Sequence, residues 1–309
     1  MPSKSKKNPE IARAKRMQRQ KDLGRMLKRA QKYLGLRPRA AYSSGPLDSS
    51  APWEVSMPVP FKTKASVRFV CVDVEAYERN TNVVTEIGFA ILDTEDTMDV
   101  PPGENGENWF PLIKAHHLRI DEYSYMVNHD FVKGCPGSFN FGSSEFVALT
   151  EVSKVIGTII GDNHSDDRRP VIMVGHDIKT DLKYLQKVGY NPWRVQHISD
   201  EVDTKSMFQR MERNPNGRGL ETVCAEMGLS GRNYHNGGND AVYTLRAMIT
   251  MTVKRMVDGS DRKVDAQPGE DEWSDGEMDD GGAPERSAEP VKPAAQQSGN
   301  KRMVPNVWL

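Results

Sequence analysis

Two carboxylates separated by one residue end an apolar run in the sequence VRFVCVDVE, residues 67–75. Alternate side chains of an extended strand lie on one face of a sheet, so Asp73 and Glu75 would point the same way. Two like charges this close are costly to bury unless a cation neutralises them. The pair therefore predicts a cation site at the end of a strand. The alternative is a frayed strand end whose carboxylates face water.

A third carboxylate lies in the segment VIMVGHDIKTDLKYL, whose apolar start is interrupted at Gly175. The apolar run indicates a buried strand, and Ile178, Leu182 and Leu185 recur with the spacing of one helix face. Asp181 lies beside this apolar stripe, about one helical turn beyond the strand. A carboxylate in such a place requires a cation or a capping role.

The third feature is the segment YHNGGNDAVYTL, in which His235 precedes Asp240 by five positions. Asp240 would lie in the first turn of a long helix, where the helix dipole favours a carboxylate. Taken alone, the segment also fits a simple helix cap that follows a loop histidine. Its chemical interest depends on whether the other carboxylates converge on it.

The elements that must position these side chains follow from apolar spacing and turn residues. Strands are predicted at residues 67–75, 83–92, 114–120, 171–174 and 195–198, and helices at 145–160, 178–188, 204–211, 220–227 and 239–257. Residues 94–110 are rich in Pro, Gly and acidic side chains and indicate an exposed loop. Three leading strands followed by alternating helices and strands predict an α/β domain with a mixed sheet of about five strands flanked by helices.

Charge is distributed unevenly along the 309 residues, although the net charge is only −1. Residues 1–40 contain 14 Lys and Arg against two acidic residues, and residues 265–290 contain ten acidic residues against one Arg. We therefore expect one folded domain between two tails. The predicted divisions are a basic tail or amphipathic helix at 1–40, a Ser/Pro linker at 41–65, the folded domain at 66–257 and an acidic disordered tail at 258–309.

Both tails are candidates for contacts with other molecules. The basic segment is either solvated or attaches electrostatically to nucleic acid or to an acidic partner. The acidic segment has the composition of a disordered chain and ends in the apolar peptide MVPNVWL. Protein partners are expected through either tail.

Cysteine usage and hydropathy exclude several classes of protein. Cys71, Cys135 and Cys224 are odd in number and lack C-x-x-C spacing, which argues against a disulfide framework and a zinc site and fits a reducing compartment. No run of 18 apolar residues predicts a membrane span. Because the start of the chain lacks the apolar stretch of a signal peptide, we expect a nuclear or cytoplasmic protein; a mitochondrial presequence is the alternative.

Taken together, the three motifs resemble those of the DEDDh family of 3′-to-5′ exonucleases, whose fold is RNase H-like. The first family motif corresponds to Asp73 and Glu75 in VCVDVEAY, the second to Asp181 in GHDIKTDLKYL, and the third to His235 and Asp240 in HNGGNDAVYTL. The resemblance covers about residues 66–256. The phrases DVEAYE, TEIGFAILDT, FGSSEF and GNDAVYTL are similar to a fungal branch that includes a yeast protein linked to messenger RNA export and argonaute-associated exonuclease-like proteins.

The chain departs from the family pattern at three positions. The second motif often reads H-N-x-x-F-D, but Asp177 replaces the Asn and Thr180 replaces the Phe. The first motif often has Thr after its Glu, where this chain has Ala76. Asp177 would add negative charge near the phosphates of a substrate, so these departures concern substrate contacts more than metal binding.

The resemblance implies phosphodiester hydrolysis with two divalent ions, Mg²⁺ or Mn²⁺. Asp73 would bridge both ions, Glu75 and Asp240 would bind the first, and Asp181 would hold the second. His235 would accept the proton of the attacking water, because an imidazole titrates near neutral pH. The expected substrate is the 3′ end of a single-stranded nucleic acid, with RNA favoured.

Some roles and two other functions stay open from the sequence. Tyr77 and Tyr234 would stack on a base or pack in the core. Glu86 would support the site or lie at a sheet edge. A catalytically weak nucleic-acid-binding adaptor in RNA metabolism or mRNA export is the main alternative function, and an unrelated α/β domain with structural carboxylates is the other. The presence of all five motif residues favours the exonuclease, since an adaptor would be free to lose His235.

Overall fold

A computed structural model describes residues 9–37, 53–61, 66–161, 169–214, 216–261 and 281–290. Its centre is a six-stranded mixed sheet with helices on both faces, which confirms the predicted α/β fold. The strands are β1 Arg68–Tyr77, β2 Asn80–Asp93, β3 Lys114–Ile120, β4 Glu145–Val147, β5 Val171–Gly175 and β6 Ile198–Asp203. The helices are α1 Pro9–Tyr33, α2 Thr94–Thr97, α3 Val152–Ile160, α4 Ile178–Lys187, α5 Thr204–Met211, α6 Leu220–Glu226 and α7 Gly237–Asp261.

Strand β1 lies inside the sheet, whose order is β4-β3-β2-β1-β5-β6. It pairs with β2 as an antiparallel hairpin and with β5 in parallel. The parallel ladder ends at the pair Cys71 and Val174, because β5 stops at Gly175. The last residues of β1 therefore continue past β5 and leave room for the start of α4.

The two faces of β1 bury different helices. Phe69 and Cys71 belong to one core cluster together with α7, whereas Val70 and Val72 belong to a second cluster with α3 and α4. Period two along the strand places Asp73 on the face of Phe69 and Cys71. The first carboxylate of the sequence pattern is thus directed to the α7 side of the sheet.

Two predicted boundaries were wrong. The helix expected at 145–160 begins only at Val152, because residues 145–147 pair in parallel with β3 as strand β4. The backbone N–H of Leu149, between β4 and α3, donates to the carboxylate of Glu122 and so fixes the turn that joins the strand to the helix. The last strand is Ile198–Asp203 rather than 195–198, because a 3₁₀ turn, Pro192–Arg194, precedes it.

The segment 94–110, expected as an exposed loop, contains helix α2 and most of a 3₁₀ turn, Glu107–Leu112. Trp109 is fully buried there and donates from Nε1 to the carbonyl of Val100 at 2.8 Å. One large aromatic thus anchors a segment whose average composition is that of a loop.

The N-terminal segment, for which the sequence left open a tail or an amphipathic helix, forms α1. Leu27 and Ala30 are buried in the core cluster that contains α7. Arg29 is also buried and donates from Nε to Oδ2 of Asp200 at 2.8 Å. The second half of the basic segment therefore packs on the domain. The predicted division at residue 40 lies outside the described residues.

Residues 281–290 belong to the predicted disordered tail, yet they lie against β6. The N–H of Glu201 donates to the carbonyl of Glu285, and the N–H of Glu285 donates to Asp200 Oδ1 at 2.8 Å. The N–H of Ser287 donates to Glu201 Oε1 at 2.9 Å. These contacts cover the outer edge of the sheet; the terminal peptide MVPNVWL lies outside the described residues. Among the helices that the structure describes, none is long and apolar enough to cross a membrane.

We predict that Asp200→Ala lowers the free energy of unfolding by about 3–5 kcal/mol, because it removes the buried carboxylate of Arg29 and leaves only Glu285, which is largely exposed and 3.7 Å away. Urea denaturation of the two proteins measures the difference. Lys154→Ala is the control, since Lys154 and Glu151 form an exposed ion pair at 3.8 Å and should contribute less than about 1 kcal/mol. Equal losses in the two variants would contradict a special role for the buried pair.

Candidate active site

The predicted site residues come from β1, from α4, and from α7 with the loop that precedes it, and these elements meet at the end of β1. Glu75 lies on β1, Asp240 lies in the first turn of α7, and His235 lies in the loop that precedes α7. One ligand atom from each of these three side chains lies within 4.8 Å of the other two. Asp73 precedes Glu75 on β1, and Asp181 approaches β1 from α4.

Asp181 is held against β1 by the backbone. Its Oδ1 accepts a hydrogen bond from the N–H of Val74, which lies between the two carboxylates of β1, at 3.2 Å. That N–H has no strand partner on the β5 side, because the β1–β5 ladder has already ended. Only 6% of Asp181 is exposed. The early end of β5 therefore explains how a helix carboxylate reaches this position.

The start of α7 rests directly on β2. Gly88 pairs with Asp73 across the β1–β2 ladder, and a Cβ at Gly88 would overlap the carbonyl oxygen of Gly237. A Cβ at Gly238 would lie 2.6 Å from the ring of Phe139. The glycines on both sides of this contact thus permit a close approach of helix and sheet, which brings Asp240 to the end of β1.

The loop that carries His235 has a fixed backbone and an exposed side chain. His235 has φ of 63°, in the left-handed region, and its N–H donates to Oδ2 of Asp240 at 2.9 Å. Asn239 is fully buried and accepts from the N–H of Asn140 while its Nδ2 donates to the carbonyls of Ser138 and Asn233. These bonds compensate for the strained backbone and present the imidazole to solvent.

The carboxylates disfavour one another's ionised forms. Burial, and then the charge of Glu86, raises the pKa of Glu75 to about 7. Burial also raises the pKa of Asp240 to about 8, with Glu75 adding to the shift and the N–H of His235 opposing it. The pKa values of Asp73 and Asp181 are likewise raised, first of all by burial. The site therefore resists carrying its full negative charge.

This donor set fits a divalent cation. Oδ1 of Asp240 is buried and has no hydrogen-bond partner among the described residues. The converging side chains offer carboxylate oxygens and one imidazole, and hard oxygen ligands are those that Mg²⁺ prefers. A cation here would favour the ionised carboxylates that the protein alone disfavours.

Glu86 and His117 are further polar residues beside the site. Glu86 faces Glu75 in the β1–β2 register and lies on an interior strand, so the sheet-edge alternative for it is excluded. His117 is fully buried, with Nε2 2.8 Å from Glu86 Oε2 and Nδ1 2.8 Å from Ser144 Oγ. The sequence did not single out His117. Pairing of β2 with β3, which places it opposite Gly88, would have been the signal.

The structure also places the two departures in the second motif and the two tyrosines that the sequence left open. Asp177 is exposed, adopts a left-handed φ of 76° before α4 and pairs with Lys205 at 3.3 Å. Thr180 is exposed. Tyr234 packs 5.0 Å from the ring of Tyr243 beside the core, whereas Tyr77 is half-buried at the end of β1.

We predict that, in chelator, the free energy of unfolding contributed by the site falls between about pH 4 and pH 8. The folded pKa values of Glu75 and Asp240 lie above their ordinary values, so the folded state binds more protons over this range and loses stability as they leave. Mg²⁺ should restore the melting temperature at pH 8. Asp240→Asn should flatten the pH dependence and weaken the Mg²⁺ effect; an equal Mg²⁺ effect in this variant would contradict the assignment.

We predict that Gly88→Ala destabilises the fold by about 1–3 kcal/mol, because the new methyl group displaces the start of α7. The same variant should lose most of the Mg²⁺-dependent rise in melting temperature, since Asp240 moves with the helix. Gly137→Ala is the matched control, because a Cβ at Gly137 meets nothing within 4 Å. A normal Mg²⁺ response in Gly88→Ala would show that the contact does not position the site.

Two fungal proteins are similar to this chain in sequence. The chain is 29% identical over 200 residues to Good for full DBP5 activity protein 2 of Saccharomyces cerevisiae, covering 58% of this chain and 34% of that protein. It is 29% identical over 194 residues to the uncharacterized nucleolar protein C2C4.08 of Schizosaccharomyces pombe, covering 61% of this chain and 70% of that protein. The chain thus spans about a third of the length of this S. cerevisiae relative.

A solved structure and a family model complete the comparison. The nuclease domain of 3′hExo, a DEDDh family member bound to rAMP, overlaps 62% of this chain and 92% of its own length, at 11% identity and a TM-score of 0.39. The model of the DNA polymerase III subunit epsilon-like, C-terminal domain, DEDDh_C, matches residues 68–251. That match covers more than half of the chain and confirms the resemblance found in the sequence: the chain belongs to the DEDDh family of exonucleases.

Proposed function

We propose that this protein is a metal-dependent 3′-to-5′ exonuclease that acts on single-stranded nucleic acid, with RNA favoured over DNA. The observation that carries the proposal is the convergence of Glu75, His235 and Asp240 within 4.8 Å at the end of β1. Membership of a nuclease family supports the reaction class. Structural neighbours include a 3′-exonuclease in 3′-end specific recognition of histone mRNA stem-loop and E. coli exonuclease I in complex with a dA16 oligonucleotide.

Asp73, Glu75, Asp181 and Asp240 are the residues that would hold two divalent cations, Mg²⁺ or Mn²⁺. When bound, such ions neutralise the charge of the phosphate and activate a water molecule for attack. The protein's own contribution is to hold these carboxylates close together from three elements, β1, α4 and α7, so that the bound ions would in turn hold the scissile phosphate. Asp181 Oδ1 is also tied to the N–H of Val74, which limits its movement.

His235 is the proposed general base. Its side chain is exposed while its N–H is bonded to Asp240, so the imidazole can reach solvent without losing its place beside the carboxylates. An unprotonated ring nitrogen would accept the proton of the attacking water, which requires an approach to about 3 Å. The left-handed backbone of His235 costs about 1–3 kcal/mol and is consistent with a position kept for function.

A weakly active nucleic-acid-binding adaptor is the second candidate. It is favoured by the exposed Asp177, which pairs with Lys205 where the family pattern has an amide. The name of the S. cerevisiae relative refers to DBP5 activity rather than to a nuclease.

The name of the S. pombe relative supports a nuclear location for this chain. Protein contacts through the two ends of the chain belong to either proposal.

We predict that the full chain shortens a 5′-labelled single strand of RNA or DNA to a ladder in Mg²⁺ or Mn²⁺, and that chelator abolishes the ladder. His235→Ala should reduce the rate by at least about 100-fold, the lower range for loss of a general acid–base residue. Asp73→Asn should reduce the rate at least as much, because it removes a proposed metal ligand. A blocked 3′ end should protect the strand.

Lys154→Ala, remote from the site, should keep the rate of the unaltered protein. Binding without shortening in both metals would overturn the exonuclease and leave the adaptor. Shortening that persists in Asp73→Asn and His235→Ala would indicate a contaminating nuclease.

A further inference from the structure

A loop outside the family motifs spans the candidate site from one side to the other. This bridging loop, residues 128–135, is hydrogen-bonded at one end to the end of β1 and at the other end to the segment of His235. Its two ends therefore lie next to Glu75 and His235. Hydrogen bonds to Ala76 and to His235 hold the loop at its two ends.

The first attachment is made by Asn128 and Glu78. Asn128 accepts from the N–H of Glu78 and donates to the carbonyl of Ala76, both at 2.9 Å. The Glu78 carboxylate in turn accepts the N–H groups of His129, Asp130 and Phe131 at 2.9–3.0 Å. These three donors lower the pKa of Glu78 to about 2, so the attachment persists at any physiological pH.

The second attachment is made by Cys135. Its N–H donates to the carbonyl of His235 at 3.2 Å, and its carbonyl accepts from Nδ2 of Asn236 at 3.1 Å. Its thiol donates to the carbonyl of Tyr234 at 3.1 Å. The far end of the loop is thus joined to the carbonyls of Tyr234 and His235 and to the side-chain amide of Asn236, on both sides of the candidate general base.

Between the two attachments the loop presents apolar side chains to solvent. Phe131 is 83% exposed, the highest value among the large apolar side chains that the structure describes, and Val132 is 42% exposed. An aromatic ring this exposed contributes little to folding, because almost none of its area is removed from water. Holding it on a backbone fixed by three hydrogen bonds suits a binding surface.

We propose that Phe131 is a platform on which a base of a single-stranded nucleic acid stacks as the strand enters the carboxylate site. The inference rests on the proposed function and names a substrate contact for it. An aromatic face accepts any base, so it suits an exonuclease that moves along a strand. Lys133, two positions along the same exposed loop, supplies a cation for the neighbouring phosphates.

Continuity with the site favours a nucleic acid over a protein partner at this position. The N–H of Phe131 is bonded to Glu78, three residues beyond Glu75 on the same strand. Both ends of the loop are bonded next to residues of the site, at Ala76 and at His235. A strand whose 3′ end reaches Glu75 and His235 would therefore have residues 128–135 beside it.

The test is equilibrium binding, measured by fluorescence anisotropy on the full chain with His235→Ala, in Mg²⁺, so that hydrolysis does not intervene. The probes are a 5′-labelled single-stranded RNA of about ten nucleotides, within the usual site sizes, and copies that carry one abasic nucleotide at each successive position from the 3′ end. Phe131→Ala should weaken binding of the intact strand about tenfold. One abasic position should weaken binding equally, and the two losses should not add.

Matched variants identify the ring as the cause. Phe131→Tyr should bind like the parent and Phe131→Leu like Phe131→Ala, since only the first keeps an aromatic face. Phe146→Ala is the control, because Phe146 is 56% exposed on the edge strand β4 and should leave affinity unchanged. Additive losses at every abasic position, equal loss in Phe146→Ala, or no binding of single strands would each overturn the inference.

The outcomes separate this inference from the exonuclease itself. Coupling between Phe131 and one base, in a protein that never shortens a strand, would retain the platform and reject the enzyme. Normal shortening with no coupling at any position would retain the enzyme and reject the platform.

Discussion

The cost of burying several carboxylates together at the end of β1 is the constraint to which much of the structure responds. Four acidic side chains from three elements approach one point, and burial raises the pKa of each. If stability alone determined the sequence, these carboxylates would be separated or replaced by neutral residues. Backbone donors instead hold them in place: the N–H of Val74 faces Asp181, and the N–H of His235 faces Asp240.

The direct contact between α7 and β2 makes this arrangement possible. Side chains normally separate a helix from a sheet, but Gly88 and Gly237 carry none where Asp240 must reach β1. Beyond its first turn α7 is held by buried apolar residues such as Leu245 and Met248. The approach at one end of the helix is therefore supported by burial along the rest of it.

Local spacing in the sequence was enough to predict the strands and helices that carry the motif residues. Period two identified β1 and placed Asp73 beside Glu75, and helical spacing identified α4 around Asp181. Features that depend on pairing between distant segments could not be predicted this way. Strand β4 exists because three residues pair with β3, although their own spacing is helical. The catalytic and metal-binding roles of the five motif residues stay predictions.

Other features were missed for the same physical reason. His117 becomes relevant only when β3 is placed beside β2, and the bridging loop only when both its ends are known. Trp109 is buried by contacts that the acidic, Pro-rich composition of its segment conceals. Average composition describes what a segment can do alone, whereas these residues depend on what covers them.

Asp200 links two parts of the chain that are far apart in sequence. Its carboxylate accepts hydrogen bonds from Arg29 in α1 and from the N–H of Glu285. Arg29 and Glu285 are more than 250 positions apart in the sequence. Detachment of either segment removes a donor from the same buried charge and so weakens the hold on the other. Through Asp200, the edge strand β6 thereby couples the docking of α1 to the docking of residues 281–290. A molecule that bound one of these segments and detached it from the sheet would weaken the attachment of the other.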